Sequence, residues 1–204
     1  MDKIITISRE YGAGGHSIGQ QVAKELGIPF YDRDILKATV QTSGFDPDMV
    51  EHDQEDVSST NFFFKSICSF ADASFSDTQD AIHDVQKAVI LHFAKEGPCV
   101  ILGRCGDYVL RDRPNVLRTF VYAPLETRIQ FAKSRPDAKD MPDRLWETQL
   151  AKHDRARASY YNYYTENRWG EAKNYDLCLN ATLGREACAD LIVAAARAMQ
   201  EADK

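Results

Sequence analysis

The stretch IITISREYGAGGHSIGQQVAKEL, residues 4–26, reads as a buried strand, a glycine-rich turn and an amphipathic helix. Ile4, Ile5 and Ile7 with Thr6 form a β-branched run, the pattern of a central parallel strand covered on both faces. Gly12, Gly14 and Gly15 allow positive φ and close backbone approach, so successive N–H groups can point into one concavity that suits an anion. Ile18, Val22 and Leu26 then recur at helical spacing, so the helix buries one face and aims its N-terminus at the same concavity. Glycines after a strand also make a plain tight connection. It is the combination of strand, glycines, Ser17 and helix that points to phosphate.

The standard phosphate-binding loop is G-x-x-x-x-G-K-[ST], in which the lysine reaches the β- and γ-phosphates and the hydroxyl holds magnesium. Two registers fit this chain imperfectly. In one, Gly15, His16 and Ser17 take the G-K-S positions, with His16 in place of the lysine and Glu10 in place of the first glycine. In the preferred one, Gly12-Ala13-Gly14-Gly15-His16-Ser17 aligns with the G-x-G-K-G-T form, Gly15 replaces the lysine and Arg9 replaces the first glycine. The cation then comes from His16, partly charged at neutral pH, from Arg9, or from elsewhere.

A chain of 204 residues, 44% of them apolar, is long enough for one main core, and residues 1–204 read as one domain. A net charge of −6 argues against a nucleic-acid binder. No apolar stretch approaches the ~20 residues that span a bilayer, and Met1-Asp2-Lys3 leads straight into the first strand without a signal peptide, so a cytoplasmic protein without membrane attachment is expected. Five cysteines without a C-x-x-C pair suggest neither a disulfide framework nor a zinc ribbon, and the five histidines show no H-x-x-x-H spacing. Cys105, beside an arginine at a strand end, is the one candidate thiol nucleophile; the other cysteines read mainly as core thiols.

Further along, Pro29-Phe30-Tyr31-Asp32 reads as a short second strand ending at an acid, with a turn or short helix from Asp34. Residues 42–80, including Phe62-Phe63-Phe64, lack a clean period and suggest an insertion of short helices and loops, bounded at 34–80. Helical spacing returns from Thr78 to Glu96, and a strand at Cys99–Leu102 ends in Gly103-Arg104-Cys105-Gly106-Asp107. Leu117–Tyr122 reads as a fourth strand and Pro124–Ser134 as a helix carrying Arg128 and Lys133. The charged, proline-broken residues after Ser134 suit a lid over 134–150. A helix to about Tyr164, a strand at Tyr175–Leu179 and a last helix with a Cys188, Leu191, Ile192, Ala195, Met199 stripe complete the pattern. Strands separated by helices imply an α/β fold, a parallel sheet with helices on both faces.

Phosphoryl transfer needs positive charge and oriented donors. Arg104, leaving a buried strand, is placed to clamp a phosphate, or else to pair Asp107. Asp154, Arg157 and Tyr161 share one helix face beyond the lid, whereas Arg155 points elsewhere; a solvated charged face would show the same pattern. Tyr160, Tyr161, Tyr163, Tyr164 and Trp169 read as packing or subunit contact, the latter allowing a homodimer.

These segments together resemble the cytidylate kinase-like family, a branch of the P-loop nucleoside monophosphate kinases. The resemblance is carried by Ser8–Gly15, Pro29–Asp32, Gly103-Arg104, Asp154–Tyr161, Trp169-Gly170 and Asn174–Asn180. It implies a five-stranded parallel sheet, a monophosphate-binding insertion and a lid. It also implies ATP with Mg2+ as phosphoryl source, and CMP or a related nucleoside monophosphate as acceptor. On it, Gly12, Ala13, Gly14, Gly15, His16 and Ser17 bind phosphate and Ser17 the metal. Arg9, His16, Arg104 and Arg157 supply catalytic charge, and Asp32, Arg33, Arg104, Asp107, Asp154 and Arg157 line the acceptor site. The chain departs from the family in lacking the lysine and in showing Leu102-Gly103-Arg104-Cys105 where D-G-R-D is usual. A nucleotide-binding regulator that has lost transfer, or a kinase of a non-nucleotide acceptor, are the rival readings.

Overall fold

The computed structural model describes residues 3–43, 74–135 and 141–202. In chain order the elements are β1 (Ile4–Arg9), α1 (Gly15–Leu26), β2 (Phe30–Tyr31), α2 (Arg33–Ser43), α3 (Ser74–Glu96), β3 (Val100–Leu102), α4 (Gly106–Val109), β4 (Val116–Tyr122), α5 (Leu125–Lys133), α6 (Asp143–Tyr164), β5 (Leu177–Asn180) and α7 (Arg185–Ala202). Short 3-10 turns at Ala172–Asn174 and Ala181–Leu183 flank β5.

The five described strands form one sheet in the order β2-β3-β1-β4-β5. Every pairing is parallel, with Ile5 opposite Val100 and Leu117 in its two neighbours. The chain builds to one side of β1 through β2 and β3, then crosses to the other side for β4 and β5. The carboxyl end of β1 is therefore flanked on both sides, the place where open α/β sheets take ligands.

Side chains alternate across each strand, so the β-branched run feeds two cores at once. Ile5, Ile7, Val100, Leu102, Leu117 and Val121 pack with Ile18 and Val22 of α1 and with Cys188, Ala189, Ile192, Val193 and Ala196 of α7. Ile4, Ile101 and Val116 face the opposite way, onto Ile35 of α2 and Val89 and Ile90 of α3. Ile18 and Val22 are fully buried, a contribution of about 1.5–3 kcal/mol each. A smaller cluster of Ala132, Trp146 and Leu150 joins α5 to α6 beside Tyr11. No helix among the described residues is long and apolar enough to cross a membrane.

The structure corrects the sequence reading in several places. Leu191 is 44% exposed; Cys188 and Ile192 of the expected stripe are buried, and the buried face widens through Ala189, Val193 and Ala196, because a helix lying flat on a sheet buries small residues that a stripe of large ones overlooks. The last strand starts two residues later than expected. Asp176 turns its carboxylate back to accept the Arg118 N–H and to pair its guanidinium at 2.9 Å, which occupies the strand's entry. Residues 33–43, where a turn or short helix is expected from Asp34, do form a helix, packed into the second core through Ile35, with Thr39 donating to the Ile35 carbonyl. The Phe62–Phe64 cluster and residues 136–140 of the expected lid lie outside the described residues, while the lid's later part, from Asp143, is the start of α6.

Candidate active site

The turn after β1 has the backbone that glycine allows. Gly12 and Gly14 stand at φ of 80° and 81°, whereas Gly15 does not need a positive φ. Gly14 caps α1, and the first bond of the helix runs from the Ile18 N–H to the Gly14 carbonyl. The N–H groups of Gly15, His16 and Ser17 thus belong to a first turn that offers them no acceptor within the helix, which favours an anion there. His16 is exposed and Ser17 half-buried, both in that turn.

Three strand ends converge on the turn. Asp32 follows β2 and accepts from His16, Nδ1 to Oδ2, at 2.9 Å. Burial alone would raise the Asp32 carboxyl; the His16 hydrogen bond and the charges of Arg9, His16 and Arg104 outweigh it and hold the group below the usual carboxylate value. Arg9, His16 and Arg104, which lie in separate segments of the sequence, therefore all act on Asp32 at one edge of the sheet. Arg33 begins α2 beside Asp32.

Beyond β3 the backbone is strained. Gly103, Arg104 and Cys105 have φ of 69°, 56° and 54° in succession. Left-handed conformation costs a non-glycine residue about 1–2 kcal/mol, so Arg104 and Cys105 are held there by their surroundings. The tight turn is closed by the Gly106 N–H donating to the Gly103 carbonyl at 3.0 Å. Arg104 is only 7% exposed and lies near enough to Asp32 to bias its titration. Cys105 is buried, so the candidate nucleophile is withdrawn from solvent.

Asp107, the next acid, points inward. Its Oδ2 accepts from the Tyr161 hydroxyl at 2.7 Å, and Tyr175 joins Tyr161 and Ser8 in the same buried group. Burial first, and the Asp107 charge second, push both phenols well above the ordinary value of 10.0. The linkage has a definite sign. An unfolded tyrosine ionises near 10.0 while these two stay neutral when folded, so the unfolded state binds fewer protons above that pH and stability falls as pH rises. Alkaline titration followed by phenolate absorbance should show Tyr161 and Tyr175 ionising only together with loss of the far-ultraviolet circular dichroism. Their ionisation in the folded protein with the other tyrosines would contradict the buried network.

Helix α6 reaches the turn from the far side of the chain. Asp154 Oδ1 accepts the Tyr11 N–H at 2.7 Å, and Arg157 Nη1 donates to the Arg9 carbonyl at 3.0 Å. Tyr11 stacks on His153 with ring centroids 4.0 Å apart. Arg155 is exposed, as its helical position implies. Asp154 and Arg157 thus meet at the glycine-rich turn, holding its backbone.

Arg128, noted in the sequence only as a charge on a helix, completes this arrangement. Its Nη1 donates to Asp154 Oδ2 and, at 3.3 Å, to the Tyr11 carbonyl, and its Nε lies 3.4 Å from Glu10 Oε2. Glu10 also accepts the Ala123 N–H at 3.1 Å. The available signal was position: Arg128 sits in the first turns of the helix after β4, and the carboxyl end of that neighbouring strand faces the site. The tyrosines of α6 pack on their own chain. Tyr160 hydrogen-bonds Gln86 and His83, Tyr164 bonds Asp80, and Trp169 lies edge-on to Phe120, leaving Tyr163 exposed. Tyr160, Tyr164 and Trp169 thus pack within the chain, and Tyr163 is the outward-facing member of the run.

Among solved structures the chain is similar to an uncharacterized protein from Eubacterium ventriosum ATCC 27560, with a TM-score of 0.70 and 23% identity over 96% of this chain and 98% of that one. It is also similar to the shikimate kinase from Bacteroides thetaiotaomicron, TM-score 0.56 and 12% identity over 98% and 99% of the two chains. A gluconokinase from Sinorhizobium meliloti 1021 has a TM-score of 0.56 and 16% identity over 98% and 94%. At these identities the likeness concerns the fold, an α/β kinase fold of the P-loop type. No curated protein is a significant match. The profile of the cytidylate kinase-like family matches residues 4–183; with a match over most of its length, a parallel sheet centred on β1 and a glycine-rich turn at that strand's end, the chain belongs to the cytidylate kinase-like family.

Proposed function

We propose that the protein is a phosphotransferase that moves the γ-phosphoryl group of ATP onto CMP or a related nucleoside monophosphate. Family and fold support a phosphotransferase. The observation that carries the reading is the convergence of the α1 N-terminus, Arg9, Asp32 and Arg104 on one sheet edge. In this reading the backbone of Gly12–Ser17 cradles phosphate, and Arg9, His16, Arg104 and Arg157 contribute the charge that a loosely bonded transferring group requires. Asp32, ionised at neutral pH, accepts a hydrogen bond from the acceptor, and Arg33 and Arg104 are assigned to the same acceptor side. Asp107, Asp154 and Arg157 hold the walls of the acceptor side through Tyr161 and the turn. We also read residues 34–80 as carrying the acceptor-binding insertion and 134–150 as carrying the lid, with α2 and the buried Trp146 and Leu150 of α6 as their fixed bases.

Mg2+, carried with ATP, needs one or two protein oxygens beside phosphate and water. The Ser17 hydroxyl in the first turn of α1 fits that need. No group of three or more His, Cys, Asp and Glu among the described residues forms a dedicated cage. When bound, the ion neutralises phosphate charge.

A second reading, transfer to a small hydroxylated metabolite, is supported by the names of the neighbours, shikimate kinase and gluconokinase. ADP release from Mg-ATP, measured across CMP, dCMP, UMP, AMP, GMP, shikimate and gluconate, separates the two. Release with CMP upholds the proposal, release with shikimate or gluconate alone transfers it to the second reading, and nucleotide binding without release on any arm leaves a binding protein.

Arg104→Gly adds a sharper check. Glycine removes the left-handed cost of about 1–2 kcal/mol, which offsets part of the loss of the buried guanidinium's contacts. Turnover should fall by roughly tenfold or more at a temperature where circular dichroism shows the variant folded. Unchanged turnover would take Arg104 out of the site.

A further inference from the structure

The two departures of the turn from the standard loop touch each other in space. In the preferred register Arg9 stands where the first glycine is usual and Gly15 where the lysine is usual. A Cβ placed on Gly15 would lie 2.7 Å from Arg9 Cβ, 2.8 Å from its Cγ and 3.6 Å from its Cδ. The methylene stem of Arg9 therefore fills the volume into which a side chain at position 15 would emerge. Its root is fixed, since the Arg9 carbonyl accepts from buried Arg157 at 3.0 Å. The Arg9 charge is among those that hold the Asp32 carboxyl down, so the two groups are near enough to interact. His16 is a weaker candidate for the missing cation, because its side chain is half-exposed and an imidazole is only partly charged at neutral pH.

We infer that Arg9 and Gly15 are a reciprocal exchange, in which the cation aimed at the β- and γ-phosphates comes from the end of β1 and position 15 is glycine to let its stem pass. The inference rests on the phosphotransferase reading and names the group that stands in for the lysine. A guanidinium in that place stays charged at every working pH and grips two phosphate oxygens at once, whereas lysine acts as a point charge. The exchange also explains why a glycine occupies position 15 although its φ does not demand one.

The test uses the full chain, with Mg-ATP affinity by calorimetry, ADP release and melting temperature read on each variant. Arg9→Ala should weaken Mg-ATP binding by roughly tenfold or more. Gly15→Lys alone should lower the melting temperature by about 4 °C or more, because Arg9 is still in the way. Arg9→Gly combined with Gly15→Lys rebuilds the standard loop. It should recover wild-type melting and bring Mg-ATP affinity back to within about threefold, a recovery that independent sites would not show. Mg-ATP binding by Arg9→Ala equal to wild type, or a double variant no better than Arg9→Ala, overturns the exchange and leaves the phosphotransferase reading standing. A wild-type protein that does not bind Mg-ATP overturns both.

Discussion

Replacing Arg128 by alanine is expected to destabilise the protein by about 3–5 kcal/mol, the usual effect of removing one partner of a buried pair. Arg128 is 12% exposed and Asp154 16%, so solvent screens their interaction little. Without the guanidinium, the Asp154 carboxylate retains the Tyr11 N–H but loses its countercharge, and the half-buried Glu10 loses the charge that opposes its desolvation. Denaturant unfolding of Arg128→Ala, Asp154→Ala and the double variant gives the coupling directly. A coupling of about 1–3 kcal/mol is expected. A single-variant loss below about 1 kcal/mol would mean that the pair behaves like a surface ion pair. Nucleotide affinity should fall in parallel, since Arg128 also holds the Tyr11 carbonyl at the entrance to the turn.

Gly12→Ala is the second large effect. The alanine Cβ would stand 2.7 Å from the Arg128 carbonyl oxygen and 3.1 Å from Arg128 Cβ, on a residue at φ 80°. The left-handed cost is about 1–2 kcal/mol and overpacking against a backbone atom adds about 1–3 kcal/mol. A loss of roughly 2–5 kcal/mol follows, with phosphate binding lost because α5 and the turn can no longer close on each other. Gly14→Ala is the matched comparison. It shares the φ, 81°, but its nearest neighbour is the Arg185 Cδ at 3.4 Å, the flexible part of a long side chain. Conformational cost alone, about 1–2 kcal/mol, is expected there. Equal losses for the two variants would show that the close approach of α5 has no energetic weight.

The local part of this structure was legible. β1, the turn and α1 each carry their signal within a few residues: branched side chains, then glycines, then Ile18 and Val22 at helical spacing. The central strands are readable for the same reason, because a strand buried on both faces is rich in apolar and β-branched residues, buried Thr6 and Thr119 included. What could not be read depends on partners distant in sequence. Arg128 is one arginine among many until α6 brings Asp154 against it. Asp154, Arg157 and Tyr161 were placed on one helix face correctly, yet only the structure gives each a different partner: Tyr11 with Arg128, the Arg9 carbonyl, and Asp107. Leu191 was misplaced because helical period alone leaves the centre of the buried face undetermined when alanines border it.

The anchoring of the turn by α6 also sets an order on how the binding surface is assembled. Tyr11 and Asp154 are separated by 143 residues, and Arg9 and Arg157 by 148. Contacts of that separation wait for α6, which follows every strand of the sheet except β5. During synthesis, β1 and its glycines emerge first and wait for most of the chain before their clamps arrive. A nascent chain can therefore possess β1, β3, β4 and the face covered by α2 and α3 while its anion cradle is still unfastened and the face that α7 covers is still open, so ligand competence needs α6 and not only the segment that bears the motif.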